Sequence, residues 1–233
     1  MTKTWVLLHG FTGSPAVFDG LVGQLEGRVL RPLLPGHGPS PASVQSWAAE
    51  VQRLADALDR EGVRGAELIG YSFGGRLGRH LLDRDDLFAR ATLIGAHPGL
   101  ETEAETEARR VSDAQWIHRL ETDGLAGFIE AWESMPFFKS QQKLSTSTLA
   151  RQRAIRSSNT AEGLADALLK LGLAEMPLRT HTPPKVSVRQ VVGELDQRHR
   201  DLAEKLDLPL SVVRGCGHNV VLEAPDALLE LLR

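Results

Sequence analysis

Apolar residues show two different spacing patterns along the first hundred residues of the chain. Short continuous apolar runs are typical of strands buried on both faces, whereas apolar residues at helical spacing are typical of amphipathic helices. The apolar runs lie at residues 5–8, 29–30, 66–69 and 91–94, with helix-like segments between them. Because strands and helices alternate in this way, we predict a mostly parallel sheet with right-handed crossovers and helices on both faces.

Capping residues mark the starts of two helices in this part of the chain. Ser14 is followed by Pro15, a pair typical of an N-cap and a first helical position, and an amphipathic segment then runs to Leu25. Either Ser43 or Ser46 is expected to cap the next helix, which has a clear apolar face. These helices supply the crossovers that precede the third predicted strand.

The pattern changes after Gly99. From residue 100 to about residue 181 we find no convincing strand pattern, and the segments are helical and contain arginines. Pro183 and Pro184 follow, and consecutive prolines cannot continue a helix. We therefore interpret residues 100–182 as a helical cap inserted into the sheet domain.

Strand patterns resume after the two prolines. Apolar runs at residues 185–192 and 208–213 predict two further strands, and a helical pattern at residues 225–232 predicts a last helix. We predict that these elements belong to the same sheet as the earlier strands. Residues 1–99 and 183–233 would then form one α/β core.

One motif lies where the third predicted strand gives way to a helix. It is Gly70-Tyr71-Ser72-Phe73-Gly74, a G-x-S-x-G sequence. At a turn from strand to helix this sequence is typical of a nucleophile elbow, in which glycines allow a sharp bend that exposes the serine hydroxyl. The motif alone is weak evidence because the chain contains 22 glycines. Its partners must therefore be sought elsewhere in the chain.

Suitable partners follow two later strands. Asp196 comes after the fifth predicted strand and His218 after the sixth, which gives the order Ser, Asp, His that is typical of α/β-hydrolases. A neutral imidazole can take the proton of Ser72, and a carboxylate can hold that imidazole in the required tautomer. We predict that the backbone N–H groups of Phe73 and Phe11 form an oxyanion hole beside them.

Other residues of the same types compete for these roles. They are His9, His37 and His97, which also follow predicted strands, and Asp83, Asp85, Asp86 and Asp201. Only His218 comes after a carboxylate at the last strand, so the other three histidines are interpreted as structural or as lining a pocket. Three of the aspartates come too early in the order, and Asp201 is expected within the next helix.

The amino-acid composition excludes several classes of protein. Hydrophobic residues make up 42% of the chain and charged residues 24%, with no apolar run long enough to cross a bilayer. The net charge is −3 and no Lys/Arg block occurs, so we expect no nucleic-acid partner. Cys216 is the single cysteine, and no signal-peptide pattern is found, so we expect a cytoplasmic location. We expect no cofactor and no metal site.

Several motifs together resemble those of one family. They are His9-Gly10-Phe11-Thr12-Gly13, Leu34-Pro35-Gly36-His37-Gly38, Gly70-Tyr71-Ser72-Phe73-Gly74-Gly75-Arg76 and Gly217-His218-Asn219. At the start of the cap and within it they are His97-Pro98-Gly99-Leu100, Ala108-Arg109-Arg110, Ser112-Asp113, Gln115-Trp116, Trp132, Pro136-Phe137-Phe138 and Arg156-Ser157-Ser158-Asn159. On these residues the chain resembles the menaquinone-pathway 2-succinyl-6-hydroxy-2,4-cyclohexadiene-1-carboxylate synthases, which are lyases with the α/β-hydrolase fold.

The resemblance implies an activity and a set of ligands. The family removes a ring proton from 2-succinyl-5-enolpyruvyl-6-hydroxy-3-cyclohexene-1-carboxylate and releases pyruvate, so the activated serine would act as a base. This small-molecule substrate carries three carboxylates, and an arginine fork is well matched to a carboxylate. The residues implied as substrate ligands are Arg76, Arg109 and Arg156, with Tyr71 and Trp132 lining the pocket.

Two other readings of the same residues stay open. A serine hydrolase acting on an ester, a thioester or a carbon–carbon bond would use the same three residues, with Ser72 as a nucleophile. A small-molecule receptor on the same fold would bind without turnover, although an intact Ser72, Asp196 and His218 argue against it. The lyase is favoured because only that reading accounts for the arginines.

Overall fold

The sheet of the computed structural model has six strands. The structure describes residues 2–84, 86–178, 186–205 and 209–233. The strands are β1 (Thr4–Leu8), β2 (Arg28–Leu30), β3 (Ala66–Tyr71), β4 (Phe88–Ile94), β5 (Ser187–Gly193) and β6 (Leu210–Val213). Their order is β2-β1-β3-β4-β5-β6, and every neighbouring pair is parallel. The predicted parallel sheet is therefore confirmed, while the predicted first residues of the last two strands, Lys185 and Leu208, lie outside the described residues.

Helices connect the strands and cover both faces of the sheet. Those of the first half are α1 (Asp19–Val22), α2 (Trp47–Arg60), α3 (Phe73–Leu81), α4 (Glu103–Thr122) and α5 (Gly124–Glu133). Those of the second half are α6 (Thr146–Ser157), α7 (Ala161–Leu171), α8 (Gln197–Lys205), α9 (Val220–Glu223) and α10 (Pro225–Leu232). Short 3-10 helices add Pro15–Phe18, Pro136–Lys143 and Leu173–Glu175. In the part of the chain that the structure describes, no helix has the length and apolar character needed to cross a membrane.

The helix-start predictions are partly right. Ser14 accepts a hydrogen bond from the backbone N–H of Ala16, but the segment it opens is a 3-10 turn followed by the short α1, so it ends at Val22 rather than at Leu25. Ser46 caps α2 through a hydrogen bond from the N–H of Ala49. The choice between Ser43 and Ser46 is thus settled by the side chain that reaches the third N–H of the helix.

The apolar runs of the strands are continuous because both faces of the sheet are covered. On β1, Val6 and Leu8 join the cluster under α2 and α3, whereas Trp5 and Leu7 join the cluster under α1 and α10. All four side chains are buried. Alternate residues of a strand point to opposite faces, so a strand between two layers of helices must be apolar at every position.

The described part of the segment between β4 and β5 is mainly helical. Helices α4, α5 and α7 pack around a third apolar cluster, which Phe11 from the loop after β1 also contacts. The members of that cluster are Leu120, Phe128, Ile129, Leu164 and Leu168. The division into a core of residues 1–99 and 183–233 and a cap of residues 100–182 stays a prediction, and its second boundary, with Pro183 and Pro184, lies outside the described residues.

Candidate active site

The turn between β3 and α3 holds Ser72 in an unusual backbone conformation. Ser72 has φ of 50° and ψ of −108°, a region that residues with a Cβ rarely occupy. Its N–H donates to the carbonyl of Ile94 at 2.8 Å, and its carbonyl accepts from the N–H of Arg76 at 2.9 Å. These bonds fix the strained turn at the start of α3, as expected for a nucleophile elbow.

Glycines allow the elbow to press directly on neighbouring backbone. A Cβ on Gly70 would lie 2.6 Å from the Cα of Gly75, and a Cβ on Gly74 would lie 2.3 Å from the carbonyl oxygen of Leu8 and 2.5 Å from that of His9. Real Cβ atoms do not approach backbone atoms so closely, and a backbone neighbour cannot rotate away. The elbow therefore fixes the position of the loop that follows β1.

Replacing Gly74 with alanine is expected to lower the free energy of unfolding by about 2–3 kcal/mol, because the new methyl group must displace the backbone after β1. Gly20 is the matched control, since nothing lies within 4 Å of a Cβ built there. Urea unfolding of Gly74→Ala and Gly20→Ala beside the wild type measures the difference. An equal midpoint for all three proteins would contradict the close packing of the elbow.

The three residues predicted as a catalytic group come together at the carboxyl edge of the sheet. The Nε2 atom of His218 lies 3.0 Å from Oγ of Ser72, and its Nδ1 atom lies 2.7 Å from Oδ2 of Asp196. Since a carboxylate only accepts, Nδ1 carries the proton and Nε2 is left to accept the hydroxyl proton of Ser72. The arrangement can therefore act as a base through the Ser72 oxygen.

Asp196 is held in its ionised form. Burial alone would raise the pKa of this carboxyl, but hydrogen bonds from His199 and His218 outweigh burial and lower its pKa below the ordinary range. The carboxylate is thus charged at every pH at which the protein would be expected to work. A charged Asp196 stabilises the imidazolium that forms when His218 takes a proton.

His9 and His37 hold the loop that follows β1. Nε2 of His9 accepts from the N–H of Leu34, and Nε2 of His37 accepts from the N–H of Thr12, both at 3.1 Å. Each Nδ1 lies within 2.9 Å of a backbone carbonyl, so each ring donates there and is neutral. Burial lowers the pKa of His9 well below its usual value and that of His37 to about 4. The interpretation of these two histidines as structural fits this geometry.

The buried neutral ring of His37 is expected to make the protein less stable as the pH decreases. The pKa of His37 is lower in the folded protein than in the unfolded chain, so unfolding takes up a proton and the free energy of unfolding falls as the pH drops from 6.5 towards 4. Between pH 6.5 and pH 5 the loss from this ring alone should be about 1.5 kcal/mol. Urea unfolding at several pH values measures it.

A matched pair of variants separates His37 from the rest of the chain. His37→Gln keeps an acceptor for Thr12 but does not titrate, so its stability should depend less steeply on pH than that of the wild type. The exposed His118 on α4 offers a control in His118→Gln, which should keep the wild-type slope. Equal slopes for His37→Gln and the wild type would contradict the neutral buried ring.

Nine of the ten predicted site residues line one cavity at this edge of the sheet. They are Phe11, Tyr71, Ser72, Phe73, Arg76, Arg109, Trp132, Asp196 and His218. The rings of Phe11 and Phe73 lie 6.4 Å apart, edge to face. The predicted residues therefore bring a proton-accepting group, an aromatic wall and two guanidinium groups to this cavity.

Arg76 is a buried cation at the wall of the cavity. Only 9% of the residue is exposed, and Nη1 donates to the carbonyl of Leu171 at 3.1 Å. The guanidinium lies 5.2 Å from the ring of Phe73. Burial and then the neighbouring Arg109 lower the pKa of Arg76 to about 9, against the opposing effect of Asp113, so the group is still charged at neutral pH. Among the described residues no carboxylate forms an ion pair with Arg76, and a buried cation of this kind favours an anionic ligand.

Arg109 and Arg156 are both already paired. Nε of Arg109 donates to Oδ1 of Asp113 at 2.8 Å, one helical turn away on α4. Arg156 is buried, donates to Oε1 of Glu133 at 2.8 Å, and does not belong to the set that lines the cavity. Its guanidinium lies 5.0 Å from the ring of Phe138, which does line it. The structure thus places Arg156 behind the wall, and its role as a substrate ligand stays a prediction.

The cavity also contains basic residues that the sequence analysis did not assign to the site. His97, Arg198 and His199 line it, and His97 was expected only as structural or as lining a pocket. Nδ1 of His97 accepts from the N–H of Gly99 at 3.1 Å, and burial lowers the pKa of this ring to about 3. The spacing of His199, three residues after Asp196 at the start of a helix, was the signal that could have revealed it.

A further residue ties the helical segment to the loops at the site. Asn159, between α6 and α7, accepts from the N–H of Gly38 at 2.8 Å and donates to the carbonyl of Thr12 at 3.0 Å. It is buried, so these bonds replace contacts with water. No pattern in the sequence around Asn159 identifies these two partners, which are distant along the chain.

Comparison with known proteins begins with the sequence. A family model described as the alpha/beta hydrolase family matches residues 5–231. The 2-succinyl-6-hydroxy-2,4-cyclohexadiene-1-carboxylate synthase of Enterobacter sp. (strain 638) is 33% identical over 235 residues, which cover 97% of this chain and 89% of that protein. The synthase of the same name from Citrobacter koseri is 33% identical over 240 residues, covering 98% and 93%. The resemblance inferred from the motifs is therefore confirmed.

Solved structures show the same fold. The structure of MenH from S. aureus matches with a TM-score of 0.92 at 25% identity, covering 99% of this chain and 91% of that one. An esterase from Thermogutta terrifontis, solved with malate bound, matches with a TM-score of 0.82 at 24% identity, covering 99% and 88%, and at this identity the likeness concerns the fold alone. The chain belongs to the α/β-hydrolase family and, within it, to the family of 2-succinyl-6-hydroxy-2,4-cyclohexadiene-1-carboxylate synthases.

Proposed function

We propose that this protein eliminates pyruvate from 2-succinyl-5-enolpyruvyl-6-hydroxy-3-cyclohexene-1-carboxylate and so forms 2-succinyl-6-hydroxy-2,4-cyclohexadiene-1-carboxylate in menaquinone biosynthesis. The observation that carries the proposal is the presence of Ser72, hydrogen-bonded to His218, in one cavity with Arg76 and Arg109. The names of the relatives support it. The single cysteine and the biosynthetic role favour a cytoplasmic location.

The proposed reaction begins with loss of a ring proton. The Ser72 oxygen takes that proton while its own proton passes to Nε2 of His218, 3.0 Å away. The electron pair of the broken C–H bond forms a new C=C bond, and the C–O bond to the enolpyruvyl group breaks with its electrons on the leaving oxygen. The proton on His218 then passes to the leaving enolate, which becomes pyruvate, and Ser72 is again a hydroxyl.

Charge that develops on the substrate needs donors. We propose that the backbone N–H groups of Phe11 and Phe73 supply them, since both residues line the cavity beside Ser72. The loop that carries Phe11 is fixed from two sides, by the close approach of Gly74 and by the bond from Thr12 to His37. Donors fixed in advance stabilise a transition state at no cost of reorganisation, and one such donor is typically worth 10²–10³ in rate.

The cationic wall suits a substrate with several carboxylates. Arg76 is buried with a backbone carbonyl as its hydrogen-bond partner, so a substrate carboxylate would complete its charge balance. Arg109 is half-buried and donates to Oδ1 of Asp113. The Oδ2 atom of Asp113 has no hydrogen-bond partner among the described residues. We propose that these two arginines bind substrate carboxylates, because each charged hydrogen bond contributes about 1.5–3 kcal/mol.

The aromatic wall would hold the ring of the substrate. The ring of Trp132 lies 5.4 Å from that of Phe11 and 5.1 Å from that of Trp116, and all three line the cavity. The Nε1 atom of Trp132 is buried without a hydrogen-bond partner among the described residues, so it is available to a polar group of a ligand. Tyr71 packs against His218 at 5.5 Å between ring centroids, which supports a role in shaping the site.

The test is to follow pyruvate release and diene absorbance after the purified protein is mixed with freshly prepared enolpyruvyl substrate. An ester panel is run in parallel. We expect fast pyruvate release and feeble ester turnover. Pyruvate release no faster than the spontaneous rate, together with an acyl group trapped on Ser72 during ester turnover, would instead identify a serine hydrolase.

A further inference from the structure

Asp196 accepts hydrogen bonds from two histidines. Oδ2 takes the Nδ1–H of His218 at 2.7 Å, whereas Nδ1 of His199 lies 3.0 Å from Oδ1 and 2.9 Å from Oδ2, so its N–H is shared between the two carboxylate oxygens. The backbone N–H of His199 also approaches Oδ1 at 3.4 Å. In the Ser-His-Asp arrangement the carboxylate needs only one imidazole, so the second is not explained by the proton transfer described above.

The second ring is placed by the start of α8. His199 follows Asp196 by three residues, so the first turn of the helix brings its side chain back over the carboxylate. Its ring stacks on that of His218, with centroids 4.9 Å apart and an angle of 29° between planes. The side chain is 15% exposed and lines the cavity. His199 therefore touches both residues that make Ser72 basic.

We propose that His199 is a positioning residue for this reaction, which holds the Asp196 carboxylate so that Oδ2 faces His218 and draws part of its charge away from that ring. The inference rests on the proposed function. A carboxylate with one partner can rotate about its χ2 bond, and two bonds from different elements remove that freedom. A carboxylate shared between two donors also stabilises the imidazolium of His218 less than an unshared one does.

Burial keeps the His199 ring neutral although a carboxylate lies beside it. It faces Asp196 from the loop after β5, His218 from the loop after β6, His97 from the loop after β4 and Arg198 on its own helix. Burial lowers the pKa of His199, and Asp196 only partly opposes that effect. The neutral ring has one N–H, on Nδ1, and that proton is used for the bond to Asp196.

Two variants separate positioning from mere packing. His199→Phe keeps a ring against His218 but removes the donor, whereas His199→Asn keeps an N–H near the position of Nδ1 but removes the ring. We expect His199→Phe to lower kcat about tenfold with little change in KM, and His199→Asn to recover most of that loss. The midpoint of the acid limb of the rate profile should rise by about half a pH unit in His199→Phe and stay near the wild-type value in His199→Asn.

A measurement without substrate completes the test. Proton NMR should show two downfield Nδ1–H resonances in the wild type, from His199 and His218, and one in His199→Phe. An acid limb that does not move in His199→Phe, a loss of kcat that His199→Asn does not reverse, or a wild type with only one resonance would overturn the inference. A wild type with both resonances but no pyruvate release would refute the proposed function while leaving the shared carboxylate in place.

Discussion

Replacing Ser72 with alanine is expected to lower the kcat for pyruvate release by about 10³-fold. The variant loses the oxygen that receives the ring proton, and His218 is left 3.0 Å from a position with no hydroxyl. The remaining rate should come from binding and from donors to the developing charge. Pre-steady-state and steady-state pyruvate release, measured with the coupled reduction of pyruvate, gives kcat and KM separately.

The controls for Ser72→Ala concern folding and chemistry. Alanine has the same Cβ as serine, so the strained turn at φ of 50° is kept and the thermal midpoint should change little. Ser72→Cys is informative because a thiolate is a stronger nucleophile but a weaker base than an alkoxide. The variant should therefore be nearly inactive if the protein is a lyase, and should keep activity if it is a hydrolase. Retention of more than a tenth of the wild-type kcat by Ser72→Ala would remove this serine from the mechanism.

Replacing Arg76 with methionine is expected to lower kcat/KM by about 10²-fold to 10³-fold. The guanidinium is buried at the cavity wall, and two charged hydrogen bonds to one substrate carboxylate would be lost together. The kcat/KM of Arg76→Lys should lie between those of Arg76→Met and the wild type, since an ammonium keeps the charge but not the forked geometry of the guanidinium. Steady-state kinetics on the three proteins measures these ratios.

Stability should respond to Arg76→Met much less than activity does. The variant leaves the carbonyl of Leu171 without its donor but also removes a buried cation, and these two effects oppose one another. Arg90 on β4 is the matched control, because its side chain is 64% exposed and pairs with Glu67 at the surface. If Arg76→Met and Arg90→Met turned the substrate over equally fast, Arg76 would not be a substrate ligand.

The sequence alone was sufficient to predict the parallel sheet and to predict that Ser72, Asp196 and His218 lie together at its edge. The strands can be identified in the sequence as continuous apolar runs, because helices cover both faces of the sheet and every strand position must be apolar. The three residues are readable because the carboxyl ends of parallel strands meet at one edge, so residues that follow separate strands converge there. Neither inference needs knowledge of how helices pack against one another.

Helix packing explains what the sequence could not reveal. Arg156 was expected in the cavity with Arg76, but it meets Glu133 on a neighbouring helix, a contact set by the angle between α5 and α6. His199 was overlooked because its contact with His218 joins the first turn of α8 to the loop after β6, which are separate in the chain. Such contacts depend on tertiary geometry, whereas the elbow depends on a local turn.

The adjacency of β4 and β5 has a consequence for how this family can vary. The two strands pair in register although residues 95–186 lie between them in the chain. The entropy lost when two strands close such a long connection grows only with the logarithm of its length, so even doubling the connection would cost about 0.6 kcal/mol. Selection can therefore lengthen, shorten or reshape the helices that carry Arg109 and Trp132 with little penalty to folding of the sheet. These helices can therefore change while Ser72, Asp196 and His218 keep their places at the edge of the sheet.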